Sequence, residues 1–151
     1  QLIGVVGSGV VGSRVAITLQ ALGHSTRVAP FREASELFNC RAVVVAHGGP
    51  HASTVSAFVG QGIPVVSTGD NLSDVLSMLD GHERAVSRNV PVVIGAACAP
   101  GMSGLLLSHV RRAFESVDEI HSAVHGTGGP MCAHQHHDSL AGTSIGSLAA
   151  I

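Results

Sequence analysis

The sequence has no tryptophan, no tyrosine and no lysine: four phenylalanines are its whole Phe/Trp/Tyr complement, and all eight of its basic residues are arginine. Trp and Tyr fluorescence is therefore ruled out as a monitor of ligand binding. Only 12% of residues are charged and the net charge is −2, so no basic face for nucleic acid is implied. The three cysteines, Cys40, Cys98 and Cys132, are odd in number and far apart. That spacing argues against a disulfide framework and suits a reducing compartment. The longest uncharged apolar stretch, 90–107, is interrupted by Pro91, Pro100 and three glycines. It reads as a buried strand leading into a helix start, not as a membrane span. With no signal-peptide pattern, a soluble cytoplasmic protein is expected, one that binds neither nucleic acid nor membrane. A chain of 151 residues is one domain by length, able to bury about two-thirds of its unfolded surface.

Glycine, by contrast, is abundant, at 19 residues. Six positions give it meaning: Gly7-Ser8-Gly9-Val10-Val11-Gly12 follows an apolar run, 2–6, and opens a helical pattern, 11–22. This is G-x-G-x-x-G in the context of strand, tight turn and helix. Gly7 permits the sharp turn, Gly9 lets the backbone approach a pyrophosphate, and Gly12 lets the helix pack closely on the sheet. The N–H groups and positive dipole end of the helix then face the phosphates. Ser8, Val10 and Val11 complete the cofactor-binding turn.

Strand and helix patterns alternate from there. Gly23 is placed to cap the first helix, 25–29 is a second strand, and 41–47 a third, wholly apolar over 42–46. A helix over 52–59, a strand over 64–67, a helix over 72–88 and a strand over 90–97 follow. A further helix runs to about residue 115, and a sixth strand spans 117–124. The expectation is an α/β fold with a doubly wound parallel sheet, a Rossmann domain of about six strands in the order 3-2-1-4-5-6. It would cover 1–127, with 128–151 as a His-rich loop and C-terminal helix that begins a second, substrate or dimerisation domain.

An acidic residue that binds the ribose 2′-OH of NAD belongs about 20 residues past the start of the glycine motif. Here the chain reads Ala29-Pro30-Phe31-Arg32, with no carboxylate before Glu33. Arg32, aided by Arg27, is placed to pair with a 2′-phosphate, which favours NADP over NAD. The loop His47-Gly48-Gly49-Pro50-His51 lies at the carboxyl end of the third strand, where ligands bind in open α/β sheets. His47 or His51 is there either to contact cofactor or to cap the next helix. Thr68 is a further cofactor candidate. Asp70 is a substrate candidate, although Asp70 and Asn71 also suit the N-cap of the following helix, the reading we favour.

These residues resemble the saccharopine dehydrogenase-like group of NAD(P)-dependent oxidoreductases over roughly 2–120. The resemblance rests on Gly7 to Gly12, the Gly-Gly-Pro turn at 48–50, Ser67-Thr68-Gly69-Asp70, and Gly95-Ala96-Ala97-Cys98-Ala99-Pro100-Gly101-Met102-Ser103. It implies a Rossmann domain with NADP (or NAD) as cofactor, and a substrate domain that often dimerises. The substrate would be a small amino acid or imine, with Cys98, Pro100, Gly101 and Met102 on its side of the site. Residues 133–144 are similar to the His-rich, Ser-Gly-Thr segment of dihydrodipicolinate reductases, with Ala141 in place of the serine and no lysine in the chain to match theirs.

His134, His136 and His137 are the candidate catalytic residues, as general acid or anion binder, since imidazole titrates near working pH. Cys132, Asp138 and these histidines match no zinc signature, and no metal is expected. The sequence reads as a piece of something longer. The 151 residues alone are expected to bind cofactor without turnover, and to pack on a partner subunit or a missing C-terminal domain. The alternative to an oxidoreductase is a non-catalytic nucleotide sensor; a remnant that keeps the fold without the site is disfavoured by the intact glycines.

Overall fold

The computed structural model describes residues 1–98, 101–121 and Pro130. Five strands, β1 (Leu2–Val6), β2 (Ser25–Ala29), β3 (Ala42–Val45), β4 (Val65–Ser67) and β5 (Val92–Val93), form one parallel sheet in the order β2-β1-β3-β4-β5. Parallel neighbours need crossover connections. These are supplied by α1 (Val10–Ala21), a 3-10 segment at Phe31–Leu37, α2 (Ala52–Gly60), and the pair α3 (Leu72–Leu79) and α4 (His82–Ser87); α5 (Met102–Arg111) follows β5. Because every pairing is parallel, all five carboxyl ends lie along one edge of the sheet.

The α/β, Rossmann-like class is as expected from the sequence, but the strand order is not 3-2-1-4-5-6. The third strand crosses β1 and pairs on its other side, Ile3 to Val6 against Ala42 to Val45, leaving β2 as the edge. The physical reason lies in the side chains. β2 carries Ser25, Thr26 and Arg27 and is mostly exposed, whereas β3 is Ala-Val-Val-Val with Val43 and Val45 fully buried. A wholly apolar strand belongs between two neighbours with both faces covered. The winding reverses at β1 and β3, and that gap is the switch point where open α/β sheets bind ligands.

Three further expectations change. The helix expected over 72–88 is two helices, broken at Asp80 and Gly81, a turn-forming pair that cannot sustain the ladder at low cost. The strand expected over 90–97 is ladder-paired only at Val92–Val93; Gly95 breaks the extended run at φ +72°, and Ala96 N–H still donates to the Ser67 carbonyl at 2.9 Å. Residues 117–121 do not form a strand, and the charged Asp118 and Glu119 there are exposed; 122–124 lie outside the described residues, as does all of 128–151 except Pro130.

The core is built by Val6, Val43, Val45 and Val65 from the sheet, with Leu37, Phe58, Val59 and Met78 packed over them, while Val5, also fully buried, faces Gly12 of α1. Phe38 meets Phe58 edge-on, with ring centroids 5.2 Å apart. The first helix ends as expected at Gly23, whose φ of +84° is open to glycine. Gly23 N–H donates to the Gln20 carbonyl at 2.9 Å and His24 N–H to that of Leu19 at 3.0 Å, the paired bonds of a Schellman stop. No helix among the described residues is long and apolar enough to cross a membrane.

Candidate dinucleotide site

Each glycine of the turn after β1 meets a different constraint. Gly7 sits at φ +121°, and a Cβ there would lie 2.6 Å from the Ala46 carbonyl oxygen and 2.7 Å from His47 N. Its N–H donates to the Ala29 carbonyl at 2.8 Å, which ties the turn to the end of β2. Gly12, on the inner face of α1, would drive a Cβ into the Gly7 carbonyl oxygen. Gly9 is different: it is exposed, extended at φ −78° and ψ −169°, and a Cβ there would meet nothing within 4 Å. It is the N-cap of α1, with no side-chain cap bond and no acidic residue in the first turn. The helix thus presents its N-terminal N–H groups and positive dipole end with no acidic side chain in its own first turn. Ser8, Val10 and Val11 are exposed around it.

The strands flanking β1 bring their loops together. The Phe31 ring, after β2, lies 4.6 Å from the His47 ring, after β3, so the two loops meet across the end of β1. Arg32 is exposed on the same loop as Phe31, while Arg27 is engaged with the Glu36 carbonyl at 3.4 Å. Gly48 and Gly49 follow His47, Gly49 at φ +89°. Thr68 is held inward: its N–H and Oγ1 each lie 3.1 Å from the Val45 carbonyl, to which both donate. Asp70 is exposed, and it is Asn71 that caps α3, Oδ1 accepting from Asp74 N–H at 3.2 Å. Cys98 is exposed, Gly101 turns at φ +121° against the 95–97 backbone, and Met102 opens α5 with 60% of its surface exposed. The same edge of the sheet therefore carries the Gly7 to Gly12 turn, Arg32, the 47–49 loop, Thr68 and Asp70. Pro100, His134, His136 and His137 lie outside the described residues.

Sequence reasoning missed a buried polar group beneath this edge. His51 is 2% exposed, Ser67 fully buried and Asp74 6% exposed. The Asp74 carboxylate accepts from His51 N–H at 2.7 Å and from Ala52 N–H at 2.9 Å, capping α2 from another helix. His51 Nε2 lies 2.8 Å from the His47 carbonyl and Nδ1 2.8 Å from Ser67 Oγ. A carbonyl only accepts, so Nε2 carries the proton and Nδ1 accepts from the serine hydroxyl. His47 has the opposite tautomer, Nδ1–H donating to Gly48 O at 2.8 Å, with Nε2 3.2 Å from Thr54 Oγ1. His51 holds the N-cap position of α2, but its side chain makes no cap bond there, and the capping carboxylate is that of Asp74. The only local signal was the place of His51 one residue before α2; Ser67 and Asp74 are ordinary residues brought in by the topology.

Burial pushes the His47 imidazole below its usual range, and nearby His51 adds to this; the Gly48 hydrogen bond and the Asp74 charge oppose it. In the unfolded chain His47 regains a value near 6.5. The unfolded state then holds more protons at pH values between the folded and unfolded pKa. This contribution to stability is present in full above the unfolded pKa and is lost as pH falls through it toward the folded value. Thermal melts followed by circular dichroism should show Tm falling between about pH 7.5 and about pH 5.5. His47→Asn, which does not titrate, should flatten that slope; the same slope in both proteins would show that His47 is not the group responsible.

Parallel sheet, reversal at β1 and β3, and glycine turn together define a Rossmann-type α/β domain. Two crystal structures share this fold at low identity. The S. aureus homoserine dehydrogenase at pH 7.5 aligns with a TM-score of 0.51 and 15% identity, over 64% of this chain and 32% of that one. An NAD-binding protein from Listeria innocua aligns with a TM-score of 0.51 and 15% identity, over 74% of this chain and 40% of that one. The chain thus spans about a third of the dehydrogenase and two-fifths of the Listeria protein. No family model and no curated protein matches it.

Proposed function

We propose that this chain is the NADP-binding domain of an oxidoreductase of the saccharopine dehydrogenase-like kind, working on a small amino-acid or imine substrate. The observation that carries the cofactor reading is the contrast among the three glycines: two are forced by backbone contacts, and the third faces open space at an uncapped helix start. Nothing among the described residues requires glycine at position 9, whereas a pyrophosphate drawn up against the turn does. The names of the two structural neighbours, a homoserine dehydrogenase and an NAD-binding protein, support the same reading. The bound dinucleotide would supply hydride chemistry. This chain's part is to hold the phosphates at Gly7 to Gly12 and to set the nicotinamide along the carboxyl edge toward Thr68, Asp70 and Cys98. Substrate closure, by the 128–151 segment or by a further domain or subunit, belongs to the same proposal, as does a cytoplasmic setting.

Cofactor choice rests on Arg32. No carboxylate stands between β2 and Arg32, which is exposed and follows Phe31, the residue whose ring meets that of His47. Calorimetric titration should show tighter binding of NADP than of NAD. Arg32→Ala should weaken NADP binding by about 1.5–3 kcal/mol, the range for hydrogen bonds to charged groups, and leave NAD nearly unchanged. Equal losses for both, or a wild type that prefers NAD, would reject Arg32 as the phosphate partner.

A further inference from the structure

We propose that Asp74, acting through His51 and backed by Ser67, is a positioning residue for the cofactor turn, an inference that rests on the dinucleotide reading above. Asp74 lies on α3 and touches none of the glycines of the motif. Its two carboxylate oxygens each take one N–H, from His51 and from Ala52, and so fix the point at which the 47–51 loop becomes α2. His51 is the N-cap of that helix yet makes no cap bond with its own side chain, so the carboxylate supplies the cap from outside. The His51 ring then turns back and donates to the His47 carbonyl, which closes the loop on itself.

Ser67 holds the ring's other nitrogen while accepting from Gly69 N–H at 3.2 Å. The loop after β3 and the loop after β4 are thereby pinned to one buried point. The start of the first of these loops is the backbone against which Gly7 packs, at the Ala46 carbonyl and His47 N. The path is short and made of stiff parts: carboxylate, helix start, imidazole, loop backbone, glycine turn. Gly7 has no free space on that side, so a displaced loop displaces the turn.

A carboxylate near a phosphate site disfavours an anionic ligand through space, so removing it as a charge alone would tighten binding. Removing it as a positioning group weakens binding. The titratable neighbours of the group are His51, which it holds through the backbone, and His47, whose ring lies 4.5 Å from that of His51.

The experiment titrates NADPH into the 151-residue chain and its variants by calorimetry, at a temperature where circular dichroism shows each fully folded. It is paired with amide hydrogen exchange on the cofactor-free proteins. Asp74→Asn keeps the shape but leaves only one oxygen for two N–H groups. It should raise Kd by about tenfold, the order expected for losing one charge-assisted bond, and speed exchange at His51 and Ala52. Ser67→Ala, which leaves Asp74 untouched, should raise Kd in the same direction and serves if the Asn variant does not fold. A residue that only added stability would lower Tm and leave the Kd of folded protein unchanged. An unchanged or tighter Kd in folded variants, with a wild type that binds, overturns the positioning role and leaves the cofactor site standing. A wild type that binds neither NADPH nor NADH overturns both.

Discussion

Gly12→Ala is expected to destabilise the domain more than any other single methyl addition in the glycine turn. The added Cβ would overlap the Gly7 carbonyl oxygen, and it would also sit 3.5 Å from the Val5 side chain. The oxygen belongs to backbone that cannot swing aside, because Gly7 N–H is bonded to Ala29 and its other side is packed on Ala46 and His47. The only relief is to lift α1 off the end of β1, which opens the contact of Ala16 and Gly12 with the sheet. Overpacking commonly costs 1–3 kcal/mol, and a clash with fixed backbone belongs at the top of that range, about 3 kcal/mol. For a domain of this size that is a fall in Tm of roughly 10 °C. Urea or thermal unfolding by circular dichroism measures it, since the chain has no tryptophan or tyrosine to report. Wild-type stability in this variant would mean that α1 does not start against the turn.

Gly9→Ala, three residues earlier, should do the opposite. Its backbone angles suit alanine and its Cβ would meet open space, so the fold should lose only about 1 kcal/mol, the difference between a glycine and an alanine N-cap. Cofactor binding should weaken at least tenfold, about 1.4 kcal/mol or more, because the methyl occupies the space a pyrophosphate needs. The two substitutions add the same methyl to the same motif and separate its two duties. A folded Gly9→Ala chain with unchanged affinity for NADP and NAD would remove the dinucleotide site from this turn.

That turn was legible in the sequence because everything defining it is local: an apolar strand, glycines at fixed spacing and a helix that follows at once. The strand order was less legible. The chain alternates strand and crossover in either arrangement, and the discriminating sign, a polar Ser25–Ala29 beside a wholly apolar Ala42–Val45, concerns which strand is an edge. The break at Asp80 and Gly81 had its turn signal in plain view, but the apolar pattern continuing on both sides masked it. The His51, Ser67 and Asp74 group lay beyond local reading altogether. Its members sit before one helix, at the end of a strand and in the first turn of another helix, and only the β3–β4 pairing brings them together.

The sheet's wiring also sets a timetable. No two of its strands form a hairpin, so every pairing waits for a crossover to be made. Of these five strands β1 is made before the others and becomes an interior strand, flanked on one side by β2 and on the other by β3. Between Val6 and Ala42 the ribosome needs roughly 2–7 s at ordinary elongation rates. Until β3 emerges, β1 keeps one unpaired edge on an apolar strand, and loop-closure entropy must be met before any long-range pairing rewards it. The nascent chain therefore passes through those seconds with its glycine turn already synthesised and the neighbouring strand that supports it still to come.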